Sequence, residues 1–303
     1  MQVGVSLTSV FAVSDPREGA RAMIERARAA ERAGLDSLFV GDHHVTPVPY
    51  YQNTAILGRL LAEWGDRVAG ALYLLPLWHP VLLAEQVGTL ASIARGRFVL
   101  QCALGPDDRQ FPALGVDPRQ RPSRFEESLG IVRRLWAGEK VSHHGRWSFE
   151  SARIAPTPPE PIEVWIGAIA APAIERAARL GDGWLASPDL TPDRARQQCE
   201  LYTSSCARQS RPLGTRAIRR DVYVGESAEE ANATGGAVVR AGYRGFPPGA
   251  AVVGDVEQVA RAFLELGEMG YQHVVVRNLV SDQAKALGSI ERLAKVRERL
   301  RGP

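Results

Sequence analysis

Two adjacent histidines stand directly after a short apolar run. Gly41-Asp42-His43-His44 follows Ser37-Leu38-Phe39-Val40 and opens a segment, 45–52, that holds two prolines and two tyrosines. Imidazole titrates near neutral pH, so a histidine in such a loop is suited to give or take a proton, or to polarise an oxygen. His43 is the preferred candidate for that work, and His44, Tyr50, Tyr51 and Trp78 are expected to line a substrate pocket. The plainer alternative is that one imidazole only ties the loop to a backbone carbonyl. Further along, Leu75-Pro76-Leu77-Trp78-His79-Pro80-Val81 reads as a rigid turn into a helix that His79 would cap. The run 97–105 ends in Gly105, where an absent side chain lets the backbone approach a flat ring; Asp107, Asp108 and Arg109 follow it. Cys102, inside that run, reads as a small core residue. Trp165-Ile166-Gly167-Ala168-Ile169-Ala170-Ala171-Pro172 puts small residues just before a helix, whose free N–H groups and positive end suit an anion.

Two metal readings compete for the histidines. Asp-His-His also opens a family of manganese phosphoesterases, which need further aspartate and histidine clusters on a doubly wound sheet. A metal-dependent barrel hydrolase needs ligands at several other strand ends. Here the comparable segments carry Ser6 to Thr8, Gly167 to Ala170 and Ser187 instead, so no metal is expected.

The elements that must position these residues alternate along almost the whole chain. Strands are expected over 3–7, 37–40, 68–75, 97–104, 163–167, 183–187, 219–224 and 274–276. Helices are expected over 16–33, with Asp15 as cap and Gly34 as stop, and over 53–63, 80–94, 123–136, 172–180, 192–208, 228–240 and 256–269, with a last one to 301. Excursions interrupt the rhythm at 140–161 and 242–254, after helix 4 and before the last helix pair. Eight Val/Ile/Leu-rich strands, each followed by a helix, predict an α/β (β/α)8 TIM barrel over 1–303 as one domain, with an open doubly wound sheet as runner-up. Barrel chemistry sits where strands end and loops to the next helix begin.

Composition agrees and excludes other classes. Of 303 residues, 45% are hydrophobic and 23% charged, enough for a sizeable core. The net charge of +3 comes from scattered arginines with no basic stripe, so no nucleic-acid partner is expected. Cys102, Cys199 and Cys206 lack a disulfide spacing and read as reduced thiols of a cytoplasmic protein. No signal peptide and no membrane span are expected, since no apolar run reaches the length of about 18 residues that spanning needs.

Taken in order, the motifs resemble the luciferase-like monooxygenase superfamily, which includes bacterial luciferase, alkanesulfonate monooxygenases and enzymes of the deazaflavin F420. They are Gly41-Asp42-His43-His44, the 75–81 turn, Arg95-Gly96-Arg97-Phe98, Leu114-Gly115-Val116, Trp165-Ile166-Gly167 and 177–184 ending in Gly181-Asp182-Gly183-Trp184. The resemblance implies a barrel whose mouth holds an FMN-like tricycle. Reduced FMN, delivered by diffusion from a partner flavin reductase, reacts with O2 to oxidise a small-molecule substrate; F420 members pass a hydride without oxygen. By the same resemblance His43 matches the active-site histidine. Ala71 and Leu72 match a position where relatives often have a non-proline cis peptide that makes room for the ring. Gly167, Ala168, Ile169 and Ala170 match the phosphate stretch, here without a hydroxyl, so that backbone donors would hold the phosphate. Leu104 replaces luciferase's arginine, leaving Arg121 and Arg124 as candidate phosphate cations. A homodimer through helices 53–63 and 80–94 is implied as well. The first function expected is a monooxygenase of reduced FMN and O2, with loops 45–52 and 242–254 shaping the substrate pocket. The alternatives are an F420-dependent dehydrogenase or reductase, and a non-catalytic flavin-binding protein.

Overall fold

The computed structural model describes residues 1–105 and 109–301. Asp107 and Asp108 lie outside the described residues. Eight parallel strands close a ring: β1 (Gln2–Leu7), β2 (Ser37–Val40), β3 (Val68–Leu74) and β4 (Phe98–Ala103) come first. A separate antiparallel hairpin, β5 (Val141–His144) with β6 (Ser148–Ala152), occupies the first excursion. The ring continues through β7 (Glu163–Gly167), β8 (Gly183–Ala186), β9 (Thr215–Val224) and, beyond the short β10 (Val252–Gly254), β11 (His273–Asn278), which pairs with β1. The barrel expectation therefore holds and the open sheet is set aside. β9 is long enough to serve three neighbours: its first residues pair with β8, its middle with β11, and Val222 to Val224 with β10.

The helices pack outside the ring. They are α1 (Pro16–Arg32), α2 (Asn53–Leu60), α3 (Pro80–Ile93), α4 (Gln110–Ala113), α5 (Arg121–Trp136), α6 (Ala171–Leu180), α7 (Pro192–Arg208), α8 (Ala228–Ala231), α9 (Ala237–Arg240), α10 (Val256–Glu268) and α11 (Gln283–Arg301). Asp15 caps α1 by accepting from the Arg17 N–H, and Gly34 takes the left-handed φ of +66° that ends it. Elsewhere the sequence reading was off. The helix expected over 228–240 is two short helices joined by a π turn at Asn232–Gly236, and His79 makes no capping hydrogen bond to α3. His79 instead packs its ring 5.3 Å from Trp147 and 5.7 Å from Phe149 of the hairpin. No helix among the described residues is long and apolar enough to cross a membrane.

Strand alternation sorts the core into two layers. Side chains such as Val3, Leu38, Ala71 and Leu100 face outward against the helices. Phe39, Val99, Trp165, Ala217 and Val275 fill the ring itself. Beside that inner plug, Ser37 Oγ lies 2.8 Å from His273 Nε2. β1 can pass only because residue 4 is glycine: a Cβ there would sit 1.8 Å from the Ser37 hydroxyl. Burial holds the His273 imidazole down at about 4. The unfolded chain takes up that proton near pH 6.5, so between pH 6.5 and 4 it binds more protons than the folded one. The contribution is complete above pH 6.5 and is lost as pH falls towards 4, at most about 3 kcal/mol. Urea unfolding at pH 7 and pH 4.5 checks this: His273→Gln should lack that component of acid destabilisation, and an identical pH dependence in both proteins would contradict it.

Candidate active site

The C-terminal ends of β1, β2 and β11 surround a cavity of about 980 Å³, whose wall includes His43, Tyr50, Thr8 and Arg277. The loop after β2 is organised by Asp42. Its buried carboxylate accepts from the Leu74 N–H at 2.8 Å and from the Trp78 indole N–H at 2.8 Å, which fixes the end of β3 and the turn after it. The two histidines then part. His44 turns back, with Nε2 3.1 Å from Asp42 Oδ1, its N–H donating to Gln110 Oε1 at 2.7 Å and its ring 5.6 Å from Trp78. His43 lines the cavity, its ring 5.9 Å from that of Tyr50. Burial, with the nearby Asp42 carboxylate adding to it, pushes the Tyr50 phenol up to about 12, so it stays a neutral hydroxyl at physiological pH. Tyr51 points elsewhere: its hydroxyl donates to the Pro16 carbonyl and its ring packs edge-on to Phe11. Trp78 is committed to Asp42.

The residues assigned to a cofactor are divided. The Ala71–Leu72 bond is trans, contrary to the expected cis geometry; the one cis bond among the described residues is Ala155–Pro156. The physical reason is an unbroken parallel register, in which Ala71 pairs with Leu100 and Leu72 with Gln101. Ala71 faces the outer core, and alternation turns Leu72 to the ring interior. Gly105 has φ +85°, and its carbonyl accepts from Arg121 Nη1 at 2.7 Å. Arg121 also donates Nε to the Pro118 carbonyl at 3.0 Å. Arg124 donates to the Pro76 carbonyl at 2.9 Å and stacks 3.8 Å from the centre of the Trp147 ring. Both guanidiniums thus tie loops around the mouth. In the Gly167 to Ala170 stretch, the Ala168 carbonyl accepts from the Trp184 indole and the Ile169 carbonyl from Gln198, while no side chain caps the N-terminus of α6. Two buried amide donors at this end of the barrel, Gln101 Nε2 and Gln110 Nε2, have no partner among the described residues. Such donors fit a polar ring edge or phosphate that the polypeptide itself does not supply. Among the described residues no group of three His, Cys, Asp or Glu is placed to hold a metal ion. Cys102 is a buried outer-core residue, its thiol pushed up by burial.

Sequence reasoning missed a charged cluster. Asp221 of β9 is fully buried and accepts from the Tyr243 hydroxyl at 2.8 Å and from Arg244 Nη1 at 3.1 Å. Its other oxygen lies 3.4 Å from Nε of Arg219, which is two residues earlier and on the same face. Arg277 of β11 donates to the Thr8 hydroxyl at 2.8 Å. The signal was present: charges at alternate positions of a strand read as buried must be paired or functional. Of the two loops expected to shape a substrate pocket, Thr46, Pro47, Val48 and Tyr50 of the first and Tyr243 and Arg244 of the second line this cavity.

The family model described as luciferase-like monooxygenase matches residues 1–272. An F420-dependent glucose-6-phosphate dehydrogenase from Nakamurella multipartita is 30% identical over 206 residues, which cover 64% of this chain and 58% of that protein. The oxygenase component of a flavin-dependent trigonelline monooxygenase from Acinetobacter baylyi is 26% identical over 222 residues, 69% of this chain and 60% of that one. The matched segments thus span little more than half of these curated relatives. A type II Baeyer-Villiger monooxygenase, the oxygenating constituent of 3,6-diketocamphane monooxygenase from Pseudomonas putida solved with FMN, superposes with a TM-score of 0.83 at 18% identity, covering 97% of each chain. Barrel, motif order and family model agree: the chain belongs to the luciferase-like monooxygenase family.

Proposed function

We propose that the protein is a cytoplasmic monooxygenase that takes reduced FMN from a separate flavin reductase and uses it with O2 on a small organic substrate. The observation that carries this reading is the cavity of about 980 Å³ at the barrel mouth with His43 in its wall. That volume lies at the upper end of the range for small-molecule pockets. Reduced FMN supplies two electrons which, with O2, place one oxygen atom on the substrate and release the other as water. Leu72, Gly105 and residues 167–171 do not line that cavity. The ring would stand beside it, against Leu72 and Gly105, with its phosphate at the backbone donors of 167–171, and the cavity would take the substrate. Gln101 and Gln110 would offer it their side-chain amides. His43 holds or delivers a proton at the reacting atoms, and Tyr50, kept neutral, donates a hydrogen bond into the same space. The 45–52 and 243–244 segments, which contribute to the cavity wall, would limit the access of water to it.

The relatives named as F420-dependent glucose-6-phosphate dehydrogenases support a second reading, hydride transfer with F420. The two separate in an anaerobic fluorescence titration of the pure protein with reduced FMN and with F420. The first reading expects reduced FMN to bind in the micromolar range typical of a diffusing cofactor, and O2 uptake on mixing with air-saturated buffer. Tight F420 binding with no response to reduced FMN would replace it with the second. The same reading includes a homodimer through α2 and α3, where Leu82 is 54% exposed; sedimentation of the wild type and Leu82→Arg tests that pairing.

A further inference from the structure

Among the described residues that line the cavity, arginines outnumber carboxylates. Arg26, Arg244 and Arg277 line it and Arg219 stands behind them, against Asp282 at the rim and Asp221 beneath. Asp221 is shared, since Arg219, Arg244 and the Tyr243 hydroxyl all converge on it. Arg26 is buried, yet its hydrogen bonds go to neutral groups, the Gln283 amide at 2.9 Å and the Ser281 carbonyl at 3.2 Å. Arg277, too, has a neutral partner in Thr8. Burial lowers both Arg26 and Arg219 to about 10, and Arg277 adds repulsion to each. Both of these remain cationic at neutral pH. Positive charge held in a concave, partly desolvated space concentrates anions there, and a guanidinium grips an oxyanion through two parallel N–H donors. Val10, Phe11, Val13 and Leu279 add apolar surface to the same cavity, with the Arg26 guanidinium 5.2 Å from the centre of the Phe11 ring.

Resting on the monooxygenase reading, we propose that the substrate is a small organic acid with an apolar body. Its carboxylate, sulfonate or phosphate group is held by Arg277 with Arg244, and its hydrocarbon part lies on Phe11 and Val10, within reach of His43. Arg277 and Arg244 are then specificity residues, and the reacting carbon is set by the distance from the acid group.

The test uses the apo-protein with benzoate, benzenesulfonate and phenyl phosphate, and with benzamide as the neutral isostere, followed by calorimetry in 50 mM and 500 mM NaCl. At least one anion is expected to bind at least tenfold more tightly than benzamide, and more weakly at high salt. Arg277→Met should weaken that anion by about 10- to 100-fold, the loss of a charge-assisted hydrogen-bond pair, while Arg277→Lys recovers part of it. Arg244→Met, on a half-exposed loop residue, gives the same direction without touching the barrel wall. Benzamide binding as well as every anion, no anion binding below 10 mM, or unchanged affinity in both Met variants would overturn the proposal. Reduced FMN and reduced riboflavin are titrated into the same variants. Wild-type preference for FMN that persists in Arg277→Met assigns the cluster to the substrate, whereas loss of that preference assigns it to the cofactor phosphate and overturns the proposal. A wild type that ignores reduced FMN but prefers the anions would instead refute the monooxygenase reading alone.

Discussion

Replacing His43 by alanine should lower kcat/KM for substrate oxidation by two to four orders of magnitude, the span usual for a positioned general acid or base. The effect should fall on turnover, because His43 lines the cavity and faces Tyr50 without being the group that organises the loop. That organising role belongs to Asp42, which holds the Leu74 N–H and the Trp78 indole. Reduced-FMN affinity and thermal stability of His43→Ala should therefore stay close to wild type. Steady-state kinetics on a substrate found by product screening, with calorimetric melting alongside, gives both readouts. Turnover within threefold of wild type would remove His43 from the chemistry. A large loss of stability would make it a loop fastener instead.

Asp221→Ala should be the most destabilising single change at the mouth. It deletes the carboxylate on which Arg219, Arg244 and Tyr243 converge, and leaves a mostly buried guanidinium without its counter-charge. Breaking such a buried pair costs about 3–5 kcal/mol, and the half-exposed Arg244 argues for the lower end of that range. Asp221→Asn keeps an acceptor for Tyr243 and should recover part of the loss. Urea midpoints of the three proteins decide it: a cost below about 1 kcal/mol would mean that water already compensates Arg219.

Much of this arrangement was legible before any coordinates. Most ring strands, β9 with its charges excepted, announced themselves as apolar runs because they are buried on both faces, and Gly41 to His44 stood out as polar residues directly after one of them. The role of Asp42 was hidden, since its partners, Leu74 and Trp78, are more than thirty positions away. β10 was unreadable for another reason. Three residues in a Gly/Pro-rich stretch carry no period, and they become a strand only because β9 outlasts β8 and offers them an edge. The hairpin at Val141–His144 and Ser148–Ala152 was masked similarly, its sides being mostly solvated and its anchor being the distant Arg124 stacked on Trp147. Arg219 and Asp221 did not stand out, because Arg216 and Arg220 are close by in sequence. Alternation alone would have separated Arg219 and Asp221, which share the inner face, from Arg220. The trans bond at Ala71–Leu72 was a borrowed expectation that an intact strand register does not accommodate.

In the proposed enzyme, the imidazole at position 43 would face a planar redox ring across the mouth of the barrel. A crystal structure of the protein with FMN bound under reducing conditions tests it most directly. The predicted result is a tricycle at the C-terminal ends of the strands, with its reactive edge within about 3 Å of His43, or about 6 Å through one bridging water. A ring bound outside that mouth, or one that leaves His43 beyond any water-bridged contact, would contradict the account.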